Sequence, residues 1–170
     1  MDSDKESILK AFSLIEEAFD NGKKILICGN GGSAADAQHF AAELIGRFKK
    51  NRKSLPAIAL NTDTSSITAI SNDFDFSKIF SRQIEGLGNQ GDILFAISTS
   101  GKSRNVLNAA TKAKEKNIKV IALTGDFNSE LLKHSDVCIK ATAKDTCHIQ
   151  ELHIIIIHIL CVLIECNIIK

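Results

Sequence analysis

His39 and Glu43 stand four residues apart in the stretch Ala34-Ala-Asp-Ala-Gln-His39-Phe-Ala-Ala-Glu43, so on a helix both side chains share one face. An imidazole and a carboxylate so placed can serve as metal ligands or as an acid/base couple. Surface ion pairs have the same spacing; position sets this pair apart. It lies just beyond Gly29-Asn30-Gly31-Gly32-Ser33, which follows the short apolar run Lys24–Cys28. Glycines there permit positive φ and close approach of a ligand to the backbone, and Ser33 is expected to cap the following helix. A buried strand, a glycine-rich turn and a helix N-terminus together form an anion cradle. It matches neither the G-x-G-x-x-G spacing nor a P-loop, since no Lys-Ser/Thr follows.

A second cradle is expected at Ser98-Thr99-Ser100-Gly101-Lys102-Ser103, directly after the clearest buried strand, Gly91–Ile97. Its four hydroxyl residues in six positions exceed what a capped turn needs, and hydroxyls beside a helix start suit a phosphate. A third set lies on the last helix: Gln150, His153 and His158. Gln150 and His158 are separated by roughly 80° around the axis and about 12 Å along it, so spacing alone does not join them in one site. His153 points elsewhere and reads as structural. Two histidines inside an isoleucine run are nonetheless costly to bury without partners.

The elements that must position these residues follow from periodicity. An amphipathic helix over about residues 6–20 carries Ile8, Phe12, Ile15 and Phe19 on one face and closes at Asn21-Gly22. Strands are expected at 24–28, 57–60, 91–97, 118–123 and 137–140. Helices are expected near 34–45, 69–71, 77–87, 106–116 and 146–167, with a short one before the last strand. Asn72-Asp73 should break the third helix. Strands alternating with helices predict an α/β fold, a parallel five-stranded sheet flanked by helices, in one domain spanning 1–170. Polar strand ends, including Thr124-Gly125-Asp126, would then converge on one crevice. The basic connector Arg47–Lys53 reads as a solvated surface segment. The last helix is apolar almost all round, interrupted by Glu151, His153, His158 and Glu165. Its uncharged run is short for a bilayer, so packing between copies of the chain is expected.

The totals agree with a soluble globular protein: 170 residues, 44% hydrophobic, 24% charged, net charge +1. That balance gives no sign of nucleic-acid or membrane partners, and the absence of Trp and Tyr removes the usual stacking platforms. Five cysteines without a C-x-x-C, and a charged N-terminus, suit a reduced cytoplasmic chain.

The motifs Cys28-Gly-Asn-Gly-Gly-Ser33, Asp36-Ala-Gln-His39-Phe-Ala-Ala-Glu43, Asn72-Asp73, Phe80-Ser-Arg82, Gly91-Asp92, Ile97-Ser-Thr-Ser-Gly101 and Ile149-Gln-Glu151 with His158 resemble, in order and over nearly the whole chain, the phosphoheptose isomerases. These are a branch of the sugar isomerase (SIS) domain superfamily. The resemblance implies conversion of sedoheptulose 7-phosphate to D-glycero-D-manno-heptose 7-phosphate through an enediol, in a cytoplasmic homotetramer with sites between subunits. It implies zinc held by His39, Glu43, Gln150 and His158. It also implies that Glu43 and His158 are catalytic, and that Asn30, Gly31, Gly32, Ser33, Glu43, Asn72, Asp73, Ser98, Thr99, Ser100, Ser103 and Gln150 hold the sugar phosphate. Three features depart from the family pattern. Family chains usually carry a further helix ahead of the position matching residue 1. Cys147 and His148 stand where Asp-Arg is common, and Phe127-Asn-Ser129 replaces a glycine pair. A competing resemblance is to non-catalytic siblings that bind the bacterial replication initiator. Those tend to lose the last-helix histidine and vary the Ser-Thr-Ser turn, and both are intact here. A third reading is a sugar-phosphate sensor without turnover.

Overall fold

The apolar runs become five strands of one parallel sheet. The computed structural model describes residues 2–125 and 129–168. Strands β1 (Ile25–Cys28), β2 (Ala57–Ala59), β3 (Ile93–Ser98), β4 (Lys119–Gly125) and β5 (Val137–Ala141) lie in the order β2-β1-β3-β4-β5, every neighbouring pair parallel. Leaving β1 the chain crosses to β2, then returns past β1 to β3. The strand order therefore reverses between β1 and β3, where open α/β sheets bind ligands.

The central strands β1 and β3 are buried on both faces at every residue, which is why they read as unbroken apolar runs. Ile25, Ile27, Ile93, Phe95 and Ile97 pack beneath helices α1 (Asp2–Asp20), α2 (Gly32–Ile45) and α7 (Thr146–Ile168). Alternate residues Leu26, Cys28, Leu94 and Ala96 face α4 (Ile79–Leu87) and α5 (Arg104–Glu115). Phe40 of α2 meets Phe95 of β3 edge to face, ring centroids 5.1 Å apart. Helix α3 (Thr64–Asp73) is capped by Asp63, whose carboxylate accepts from the Ser66 amide; Asn72 and Asp73 are its last residues rather than a break after it. The stretch from residue 77 divides into a 3₁₀ turn (Phe76–Lys78) and α4, and a short α6 (Glu130–Lys133) precedes β5.

Helix α7 corrects one expectation. Over Thr146–Asn167 it is long and apolar enough to cross a bilayer, with mean hydropathy 2.0. Here one face packs on α1, α2 and the sheet, burying Ile149, Ile156, Ile157, Leu160 and Ile164. The opposite stripe stays open: Ile155 is 51% exposed, Ile159 41% and Val162 36%.

The connector between α2 and β2 corrects another, because Arg52 is buried rather than solvated. Its Nε donates to Glu165 Oε1 at 3.2 Å, Nη1 to the Leu44 and Lys53 carbonyls at 2.8 and 3.0 Å, and Nη2 to the Glu43 carbonyl at 2.7 Å. The Glu165 carboxylate also accepts the amides of Phe48, Lys49 and Lys50 at 2.9, 2.9 and 3.0 Å. Helix ends leave carbonyls without intrahelical partners, and Arg52 supplies donors to two at the end of α2. Burial alone would raise the Glu165 carboxyl, but the three amides and Arg52 outweigh it and hold its pKa below the ordinary 4.5. A carboxylate depressed on folding contributes stability that is complete above the unfolded value and lost as pH falls through the folded one. Glu165→Gln is therefore expected to melt below wild type at neutral pH. The gap should start closing near pH 4.5 and vanish at lower pH, as read by melting temperature against pH.

Candidate active site

The turn after β1 is built around Gly31, at φ +55°, a left-handed conformation that favours glycine. Gly31 itself caps α2, which starts at Gly32, and no side chain closes the cap. This overturns the assignment of Ser33: it is the second helical residue, buried, with its amide bonded to the Asn30 carbonyl at 3.0 Å. The cradle is thus lined by backbone. In the turn after β3, Ser98 Oγ lies 3.2 Å from Ser103 Oγ and accepts from the Gly101 amide at 3.1 Å, while Ser100 Oγ accepts from the Lys102 amide at 3.2 Å. Ser98 is buried, Thr99 half-buried and Ser100 exposed. Thr124, the penultimate residue of β4, is fully buried; the remainder of that turn, with Phe127 and Asn128, lies outside the described residues.

The two turns are tied together. Asn30 and Asn105 exchange side-chain amide hydrogen bonds, each 2.8 Å, across the reversal between β1 and β3. Asn105 is buried, and its Oδ1 also accepts from the Val106 amide at 3.0 Å. Sequence reading missed Asn105, whose only signal is an amide residue two positions beyond Ser103. Asn61, from the turn after β2, donates to the Gly29 carbonyl, so the glycine turn is held from both neighbouring strands.

Helices α2 and α7 meet at successive levels and run in the same direction. At the first level the Gln150 amide is pressed on Gly32, where an added Cβ would stand 2.2 Å from Gln150 Nε2. Further along, His158 Nε2 is 3.2 Å from His39 Nε2, and that nitrogen is 3.1 Å from Glu43 Oε1. Phe48 lies against the other side of His158, ring centroids 5.3 Å apart. The structure thus brings His39, Glu43 and His158 together across 119 residues of sequence and sets Gln150 at the cradle end of the same seam. Asn72 and Asp73 sit instead on the exposed end of α3, where their side chains bond each other at 2.9 Å.

One imidazole nitrogen cannot both donate to a carboxylate and accept from a second imidazole. His39 Nε2 faces that conflict, and a cation shared by both nitrogens and the carboxylate would resolve it. Two nitrogens bound to tetrahedral zinc at about 2.0–2.1 Å stand about 3.3–3.4 Å apart, close to the separation here, and the nitrogen and oxygen donor set suits that ion. Among the described residues no three His, Cys, Asp or Glu side chains are grouped so as to hold a metal ion by themselves; an amide such as Gln150 falls outside that count.

Neighbouring groups complete the seam. Burial holds the Asp36 carboxyl above the usual range, with His39 pulling it down, and Asp36 Oδ2 lacks a hydrogen-bond partner. Cys161 is buried, its thiol pushed to about 12 by burial and then by the Glu43 and Glu165 charges. Among the described residues all five cysteines are free. His153 is fully buried, and neither ring nitrogen has a hydrogen bond of good geometry. Burial lowers its pKa, the Thr124 backbone offsetting only part of this, so it stays a neutral member of the core.

Fold and crevice define a SIS domain, and the SIS domain family model matches residues 1–125. A phosphoheptose isomerase of Campylobacter jejuni subsp. jejuni serotype O:6 is 56% identical over 161 residues, covering 95% of this chain and 87% of the relative. The solved phosphoheptose isomerases of Neisseria gonorrhoeae and Francisella tularensis superpose with TM-scores of 0.90 and 0.92, at 46% and 41% identity. Each comparison covers 95% of this chain and 86% of the solved one. The chain belongs to the phosphoheptose isomerase family. The alternative of a non-catalytic module for the replication initiator finds no support among these relatives.

Proposed function

We propose that this chain isomerises sedoheptulose 7-phosphate to D-glycero-D-manno-heptose 7-phosphate, the first step toward ADP-heptose, as a cytoplasmic enzyme. The observation that carries the reading is the contact of His39, Glu43 and His158 along the same helix seam that begins at the glycine cradle. The cradle, with Asn30, Gly31, Gly32 and Ser33, and the Ser98–Ser103 turn hold the phosphate end through backbone amides and hydroxyls. Gln150, beside the cradle, takes a sugar hydroxyl; Asn72 and Asp73, apart on the exposed end of α3, are assigned to the sugar by the family resemblance alone.

Ketose-to-aldose conversion moves one proton from C1 to C2. Glu43 removes the C1 proton, and His158 donates a proton to O2 as the enediol forms. Return of a proton to C2, with loss of the O1 proton, leaves the aldehyde. His39 orients the Glu43 carboxylate through its 3.1 Å contact. His39, Glu43, Gln150 and His158 are the side chains that would hold zinc, which when bound supplies Lewis-acid polarisation of the carbonyl.

The open stripe of α7 supports a homotetramer. An apolar groove of about 370 Å³ runs along Phe48, Ile155, His158, Ile159 and Val162, so a second copy seated there would also wall the site. Ile155→Glu with Ile159→Glu is expected to yield a monomer on size-exclusion chromatography with light scattering, where wild type elutes as a tetramer. The function is tested by incubating the protein with sedoheptulose 7-phosphate and following aldose formation. Turnover is expected, and none with the unphosphorylated ketose; an inert protein would sink the proposal.

A further inference from the structure

The Arg52–Glu165 pair lies outside the substrate crevice, yet its contacts end on the catalytic seam. Arg52 donates to the carbonyl of Glu43 itself and to that of Leu44 beside it. Glu165 lies seven residues beyond His158, two turns along α7 on nearly the same face. It also gathers the amides of residues 48–50, and Phe48 packs on the His158 ring. The contacts close a circuit: His158 to His39, His39 to Glu43, the Glu43 backbone to Arg52, Arg52 to Glu165, and back along α7. Both charged side chains are almost withdrawn from solvent, 4% and 3% exposed. The planar fork, with four donor contacts in fixed directions, sets both distance and angle between the two helices, which a lysine cannot do.

From this circuit we propose that Arg52 and Glu165 are positioning residues for the isomerisation, fixing Glu43 on α2 against His158 on α7. The inference rests on the assignment of Glu43 and His158 as the proton-transfer pair. Neither Arg52 nor Glu165 contacts the cradle turns, so the clamp acts on the chemical step and leaves phosphate binding alone.

Arg52→Lys keeps the charge and loses the fork. Its kcat for sedoheptulose 7-phosphate is expected to fall about 10- to 100-fold, the range for outer-shell partners of a site, with KM within about threefold. Lys24→Met removes another part-buried ion pair, Lys24 with Asp92, at the opposite ends of the strands, and controls for lost stability; its kcat should stay within about twofold. In the metal-free protein, the side-chain nitrogen NMR signals of His39 and His158 should shift in Arg52→Lys and not in Lys24→Met. Unchanged kcat in a folded Arg52→Lys variant, an equal loss in Lys24→Met, or unmoved histidine signals would overturn the proposal. An inactive wild type would instead refute the isomerase reading, with the NMR comparison still judging the clamp. Should Arg52→Lys melt below the assay temperature, Phe48→Leu takes its place, expected to lower kcat at constant KM; unchanged kcat there counts against the clamp.

Discussion

Glu43→Gln is expected to lower turnover of sedoheptulose 7-phosphate by about 10²- to 10⁴-fold, the span a positioned general base contributes. The amide keeps the shape of the carboxylate, so the fold and the buried backbone contact from Glu43 to Arg52 should survive. What disappears is the negative charge and with it the ability to take a proton from carbon, while the amide oxygen can still accept from His39. The loss should fall in kcat, because the phosphate end is held by turns that Glu43 does not touch. His158→Gln should show a loss of similar kind, since it removes the group that protonates O2. The measurement is steady-state kinetics on both variants, with circular dichroism to establish folding. Wild-type turnover in either variant would remove that residue from the proton-transfer pair.

Chelation is the second large effect. Dialysis against a strong chelator should cut activity by about 10²-fold or more, as expected when several kcal/mol of transition-state charge stabilisation is withdrawn. Stoichiometric zinc should restore it. The structural reason is the crowding at His39 Nε2, which faces an imidazole nitrogen at 3.2 Å and a carboxylate oxygen at 3.1 Å. Metal content by mass spectrometry should fall in parallel in His39→Ala and His158→Ala. Full activity in metal-depleted enzyme would leave the same residues acting through hydrogen bonds alone. Hydrogen-bonded in that way, His39 Nε2 would be limited to a single role, donor to Glu43 or acceptor from His158.

Local signals carried much of this architecture. The unbroken apolar runs at β1 and β3 could only be strands buried on both faces, and the polar residues at their ends marked the crevice. The four-residue spacing of His39 and Glu43 put them on one face, whereas His158 on α7 was joined to them by the family resemblance and not by spacing. Other features left no such trace. Ser33 carries a good capping side chain, yet Gly31 takes the cap because the turn needs a positive φ two positions earlier. Arg52 looks like one more cation in a basic connector. Its partner Glu165 is 113 residues away, and no periodicity reports a pairing at that range. Asn105 was hidden for the same reason: its amide pairs with Asn30, 75 positions earlier. Gln150 and His158 fit the wrong angle for a single point on one helix, and the structure gives each its own level on α2.

The order in which the chain is made bears on when it can act. Both cradle turns precede α7 in the chain, so His158 is synthesised after them. A nascent chain can therefore assemble β1 to β4 and both cradle turns while still lacking the group proposed to donate to O2. On the proposed mechanism, competence requires α7 docked along α2, so a copy that has not yet made α7 should contribute no turnover even with its sheet in place.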